Sequence, residues 1–113
     1  MEMERFFLVI LKRPEQRPDL PESEVDELQQ AHLDYLLSLR EKGVLSLNGP
    51  LLHQPDPTLR GLSFYRTETE DEARAYAQAD PMVQVGWFEF DLMTFLSRPG
   101  ELNRAGQPFT IDD

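Results

Sequence analysis

The sequence predicts an α+β domain of ferredoxin-like plan, β-α-β-β-α-β: a four-stranded antiparallel sheet with two helices on one face. Three observations lead there. Four apolar segments read as strands, centred on FFLVIL, VLSLNGPLL, GLSFYRTE and GWFEFDLMTFL. Two segments with apolar residues at helical spacing fall after the first and third of these. Proline and glycine clusters separate the segments and supply the turns.

Taken in order, Phe6 to Leu11 is apolar at every position, the pattern of a strand covered on both faces. Pro14, Pro18 and Pro21 then break the chain into a loop. The first helix follows, with either Pro21 at its first position or Ser23 as cap and Asp26 three residues on. Glu22, Glu24, Asp26 and Glu27 suit the positive end of its dipole, and Arg40 and Lys42 the negative end. Gly43 is placed to end it. The second strand, Val44 to Leu52, is interrupted by Gly49-Pro50, which marks an edge strand or a bulge because proline cannot donate to a ladder. A loop with Pro55 and Pro57 leads to the third strand, Gly61 to Glu68. Thr69 and Glu72 make a capping box for the second helix, whose apolar positions are Ala73, Tyr76 and Ala77. Pro81 disfavours helical geometry at Asp80 and ends it. In the fourth strand, Gly86 to Leu96, Phe88, Phe90 and Leu92 take one face, and Trp87, Glu89, Asp91 and Met93 the other. Residues 97–113 are polar and read as an extension to a domain of residues 1–96, with Phe109 and Ile111 free to clip onto a neighbouring surface. No internal repeat is present.

Two helices cover one face of such a sheet, yet the first strand is apolar on both. A homodimer with its sheets packed face to face accounts for this; the alternative is an open sheet carrying large side chains. The 113 residues suffice for one core. A net charge of −10 repels phosphate backbones and anionic lipid, so neither nucleic acid nor a membrane surface is an expected partner. The absence of cysteine excludes disulfides, thiolate nucleophiles and zinc–thiolate sites. The N-terminal apolar run is too short, and wrongly flanked by glutamates, for a signal peptide or a spanning helix. The expected location is cytoplasmic.

Two residues stand out as candidates for chemistry. His32 lies on the stripe Val25, Leu28, His32, Tyr35, Leu39 of the first helix, so its ring points inward or toward a cleft edge. An imidazole there exchanges protons near neutrality, or serves as a hydrogen-bonded core residue. Asp80 continues the inward stripe of the second helix, and with Pro81 it also forms a cap and first-turn pair for a short turn, PMVQ. An inward carboxylate can hold and polarise a histidine. Because both helices lie on one face, both side chains point to one layer. The Gly49-Pro50 step lets backbone approach a ligand, or is a plain bulge. Tyr35 and Trp87 line a pocket or pack in the core, and His53 belongs to a solvated loop. The serines lack a nucleophile-elbow context, no metal-ligand spacing involves His32, and no phosphate-binding glycine loop occurs, so no cofactor or metal is implied.

The segments AHLDYLLSLREKGVLSLNGPLL, GLSFYR and EARAYAQADPMVQVGWFEFDLMTF resemble the YciI-like (YCII-related) family from Phe6 to Phe95. That resemblance implies a dimeric α+β barrel and a site around the family's histidine and aspartate, which fall on His32 and Asp80. Related dimeric barrels include small enzymes of aromatic-compound degradation that isomerise, eliminate or oxidise without a cofactor. Family members often carry arginine three residues before the histidine; here that position is Gln29, a candidate substrate contact without the charge. Three functions are consistent with these residues. The first is an acid–base enzyme acting on a small cyclic or aromatic molecule, with His32 as the proton-transfer group and Asp80 orienting it. The second is a non-catalytic dimeric binding or regulatory module. The third is a heme- or metal-binding barrel with His32 as axial ligand.

Overall fold

The strand that is apolar on both faces, β1 (Glu4–Lys12), occupies the interior of the sheet. The computed structural model describes residues 1–104 and 106–111. Its other strands are β2 (Leu45–Pro50), β3 (Leu59–Tyr65) and β4 (Glu89–Ser97), and the sheet order is β2-β3-β1-β4. All pairings are antiparallel. The helices are α1 (Glu22–Glu41), α2 (Glu70–Gln78) and the one-turn α3 (Pro81–Gln84). This is the expected ferredoxin-like arrangement, with α3 added where PMVQ was read as a turn. No helix among the described residues is long and apolar enough to cross a membrane.

Alternation along β1 sends Phe7, Val9 and Leu11 into a core shared with Leu36 and Leu39 of α1, Leu45, Tyr65, and Ala73 and Ala77 of α2. Val9 and Leu39 are each 1 % exposed, and burial of one such side chain contributes roughly 1.5–3 kcal/mol. The two alanines let α2 lie close to β1. On the other face, register brings Leu8 opposite Phe64 and Met93, Ile10 opposite Leu62, Phe6 opposite Phe95, and Leu47 opposite Phe64. Phe6, Phe64 and Phe95 pack edge to face there. Leu47 and Met93 on this face remain 44 % and 43 % exposed.

Several boundaries differ from the sequence reading, each for a local reason. Pro21 is the cap of α1 and not its first residue; its carbonyl accepts from Glu24 and Val25, and Ser23 caps nothing. Gly43, at φ +75°, ends α1 with the double hydrogen bond Val44 N–H to Leu39 O and Gly43 N–H to Arg40 O, the closure that a left-handed residue permits. β4 begins at Glu89, because Gly86 (φ +80°) turns the chain and both Trp87 and Phe88 donate to the Met82 carbonyl. β2 is an edge strand, as Gly49-Pro50 suggests, but its irregularity falls at Ser46, between Leu45 and Leu47. A second irregularity lies in β3: Leu11 pairs with Gly61 and Lys12 with Leu59, so Arg60 is the extra residue of a bulge. The expected extension, 97–113, includes Ala105, Asp112 and Asp113, which lie outside the described residues. β4 continues through Ser97, opposite Glu4, and a short 3-10 turn follows at Glu101–Asn103. Phe109 and Ile111 are exposed.

Gly61 lies close against β2: a Cβ there would stand 3.1 Å from the Gly49 carbonyl oxygen. Gly61→Ala must therefore push the Gly49-Pro50 segment away. The expected loss is about 1–3 kcal/mol, the usual cost of overpacking, seen as a lower urea midpoint with an unchanged slope.

Candidate functional site

His32 projects from the middle of α1 and is 7 % exposed; Asp80, between α2 and α3, is 2 % exposed. They meet across the helix layer, His32 Nδ1 to Asp80 Oδ2 at 2.7 Å. The other carboxylate oxygen, Oδ1, accepts the backbone N–H of Met82 at 2.9 Å and so caps α3. Both sequence readings of Asp80, helix cap and histidine partner, hold at once, one on each oxygen. A carboxylate only accepts hydrogen bonds, so Nδ1 carries a proton, and in the neutral ring the lone pair falls on Nε2. The Phe88 and imidazole rings meet edge to face, their centroids 5.8 Å apart.

His32 forms part of the wall of a cavity of about 200 Å³ between α1 and the β2–β3 end of the sheet. The helix contributes Gln29, Leu33 and Leu36; β2 contributes Asn48, Gly49 and Pro50; β3 contributes Arg60, Gly61, Leu62 and Ser63; Leu11 and Phe88 complete it. Gln29, His32, Gly49 and Pro50 are thus brought together. Asp80 stands behind His32 and does not line the space.

Two expected contacts lie elsewhere. Tyr35, three residues beyond His32 and rotated toward α2, donates its hydroxyl to the Tyr76 carbonyl at 2.7 Å. Burial, reinforced by the charges of Asp80 and Tyr76, pushes its phenol up to about 12. It stays protonated at neutral pH and ties α1 to α2. Trp87 precedes β4 and stacks beneath Arg17, whose guanidinium lies 4.2 Å from the indole and 5.7 Å from the Phe88 ring. Arg17 Nε also donates to the Trp87 carbonyl at 2.9 Å. The proline-rich loop between β1 and α1 is thereby anchored beside Phe88, one residue away from the cavity. The sequence reading missed Arg60, Asn48 and Ser63. The available signal for Arg60 was Gly61: a glycine inside a strand pattern points to a bulge or a close approach, and both occur here.

The arrangement can do proton chemistry. A single imidazole, fixed in one tautomer by a buried carboxylate, faces a small, mainly apolar space. The YCII-related domain profile matches residues 5–95. The chain belongs to the YCII-related family. No curated protein matches it. Among solved structures, it is similar to the 5-chloro-2-hydroxyhydroquinone dehydrochlorinase of Burkholderia phenoliruptrix, determined in complex with 2,5-dihydroxybenzoquinone. The two are 25 % identical with a TM-score of 0.54, over 80 % of this chain and 90 % of the other.

The double role of Asp80 has a measurable consequence in this YCII-related chain. Asp80→Ala removes a helix cap, about 1 kcal/mol, and leaves the His32 Nδ1–H without its partner, about 1–3 kcal/mol more. Asp80→Asn keeps the cap, since asparagine serves as well there. Thermal and urea unfolding of the pair should show a large loss for alanine and a small one for asparagine.

Proposed function

We propose that this chain is a small, cofactor-free acid–base enzyme of lyase or isomerase type, acting on a small cyclic or aromatic compound. The observation that carries this reading is the 2.7 Å His32–Asp80 hydrogen bond on the wall of the cavity. His32 Nε2 takes a proton from a ring carbon or hydroxyl, and Asp80 stabilises the imidazolium that forms. The proton then returns to a different ring atom, which completes an isomerisation. In an elimination, the substrate instead expels an anion and the imidazolium releases its proton to solvent. Leu11, Leu33, Leu36 and Phe88 supply the apolar walls for a ring. The similarity to a dehydrochlorinase of a hydroxylated chloro-aromatic supports the substrate class.

Asp80→Asn separates chemistry from scaffolding. If its amide oxygen caps Met82, its amide nitrogen faces His32 Nδ1 and donates to it. The imidazole proton must then move to Nε2, and the base is lost while the packing stays. Against a panel of hydroxylated and chlorinated hydroquinones, His32→Ala and Asp80→Asn should each lower turnover by about 10²–10⁴-fold. Unchanged turnover in both would sink the assignment.

A second reading, a non-catalytic dimeric binding module, is favoured by one observation: the cap on α3 gives the His32–Asp80 pair a structural role without any reaction. In that case the asparagine variant would keep both its stability and its ligand affinity, and no compound in the panel would turn over.

Under either reading we propose that the functional unit is a homodimer packed through the open sheet face. Leu8, Ile10, Leu62 and Phe64 lie on the two central strands there, flanked by Leu47 and Met93, in a chain whose net charge otherwise disperses it. Light scattering after size exclusion should give twice the 13.1 kDa of the chain, and Met93→Glu should return it to a monomer. A wild-type monomer at micromolar concentration would exclude the dimer.

A further inference from the structure

Among the described residues the cavity wall includes one arginine and no lysine, and that arginine is in an unexpected place. Position 29 of α1 is glutamine, so the helix wall brings no charge. Arg60 comes from the sheet side, at the bulge of β3. Regular alternation from the buried Gly61 would turn residue 60 to the far face of the sheet. The extra residue breaks that alternation, as bulges beside functional sites do, and Arg60 is part of the cavity wall. The bulge is held on both flanks: Leu51 N–H donates to the Arg60 carbonyl at 2.9 Å, and Arg13 N–H to the Thr58 carbonyl at 2.7 Å.

Arg60 is exposed, and among the described residues it makes no ion pair. The nearby Asp56 carboxylate is engaged by the Thr58 backbone N–H and hydroxyl. Arg13 and Arg17 add positive charge close by: both Arg13 and Arg60 act on Arg17, lowering its pKa together with burial. Arg13 and Arg17 thus add to the positive charge around Arg60, and among the described residues none of the three pairs with a carboxylate, in a chain with 21 acidic and 11 basic residues. Arg17 is committed to Trp87, so Arg60 is the one that lines the space. No carboxylate lines it.

We propose that Arg60 is the anion-binding residue of this cavity, and that its ligand is a ring compound bearing a negatively charged oxygen, a carboxylate or an enolate. This rests on the acid–base reading above for what happens next, but not for binding itself. The guanidinium takes the charged oxygens through paired N–H donors, the geometry that favours arginine for such groups. Attraction across a partly apolar space is stronger than in open water. The anchored group leaves the rest of the ring to face His32.

The test uses two probes of nearly equal shape, gentisate and its neutral amide, gentisamide, with 2,5-dihydroxybenzoquinone as the enolate arm. Affinities are measured by calorimetry on the full chain in low and high salt. The wild type should bind gentisate or the quinone at least tenfold more tightly than gentisamide, with the difference shrinking in salt. Whichever anion shows the preference identifies carboxylate or enolate. In Arg60→Gln the preference should vanish, while gentisamide binding and thermal stability stay as they were. Arg13→Gln should reduce it only partly. His32→Ala should keep the preference, because anion binding does not need the base. Equal binding of anion and amide by the wild type, no binding of any probe, or a preference that survives Arg60→Gln, each overturns the proposal. A wild type that shows no preference, yet keeps His32-dependent turnover, would remove the anion site and leave the acid–base reading in place.

Discussion

The structure turns on one carboxylate with two separate tasks. Asp80 Oδ1 starts α3 and Oδ2 holds His32, so the helix that follows Asp80 and the ring that faces the cavity are positioned by the same group. Pro81 helps: with its φ preset and no N–H to satisfy, it begins the turn and leaves the Met82 N–H as the donor to be capped. The capped turn in turn presents the Met82 carbonyl to Trp87 and Phe88, and Phe88 packs edge to face with the imidazole. Ring, carboxylate and aromatic edge are thus linked by a short chain of backbone and side-chain bonds. A buried ring hydrogen-bonded to a fixed carboxylate and packed against an aromatic ring has little freedom to tilt.

The cavity depends on backbone irregularity as much as on side chains. An unbroken β2–β3 ladder with ordinary side chains would fill the space under α1. Gly61 keeps the sheet floor low, Gly49 and Pro50 form the edge, and the bulge at Arg60 puts a long side chain at the rim. An edge strand tolerates a proline because its outer N–H groups have no partner to lose. The site therefore occupies the end of the sheet where regular pairing is easiest to give up. The central pairing of β1 with β3 and β4 carries the core.

Much of this was legible in the sequence. Helical spacing placed His32 on one inward stripe and Asp80 on another, and the Asp-Pro step offered Asp80 as a helix cap as well. The order of apolar segments was enough for the fold. What failed to show followed from effects that periodicity does not encode. Tyr35 lies on the same broad stripe as His32, but its hydroxyl is drawn to the Tyr76 carbonyl on the neighbouring helix. Trp87 counts as a strand residue by alternation, yet Gly86 delays the strand until Glu89. Arg60 was invisible because the apolar pattern starts the third strand at Gly61 and leaves Arg60 in the preceding loop, and only the pairing register reveals it as the extra residue of a bulge.

The relation between Gln29 and Arg60 shows how such a site can change ligands without losing its chemistry. The His32–Asp80 pair is buried between helices, and Asp80 also caps α3, so few side chains can stand in its place. The charge that orients a ligand is under no such constraint. It can come from the helix wall at position 29 or from the sheet rim at position 60, since both line the same space. Moving it from helix to sheet changes the direction from the anchored group to His32, and so changes which ring atom meets Nε2. Proton transfer demands a close approach of donor and acceptor, so under the proposed acid–base function that direction decides which ring atom meets the histidine. On that proposal the acid–base pair belongs to the helix layer, and the anchoring of the ligand belongs to the bulge at the sheet edge.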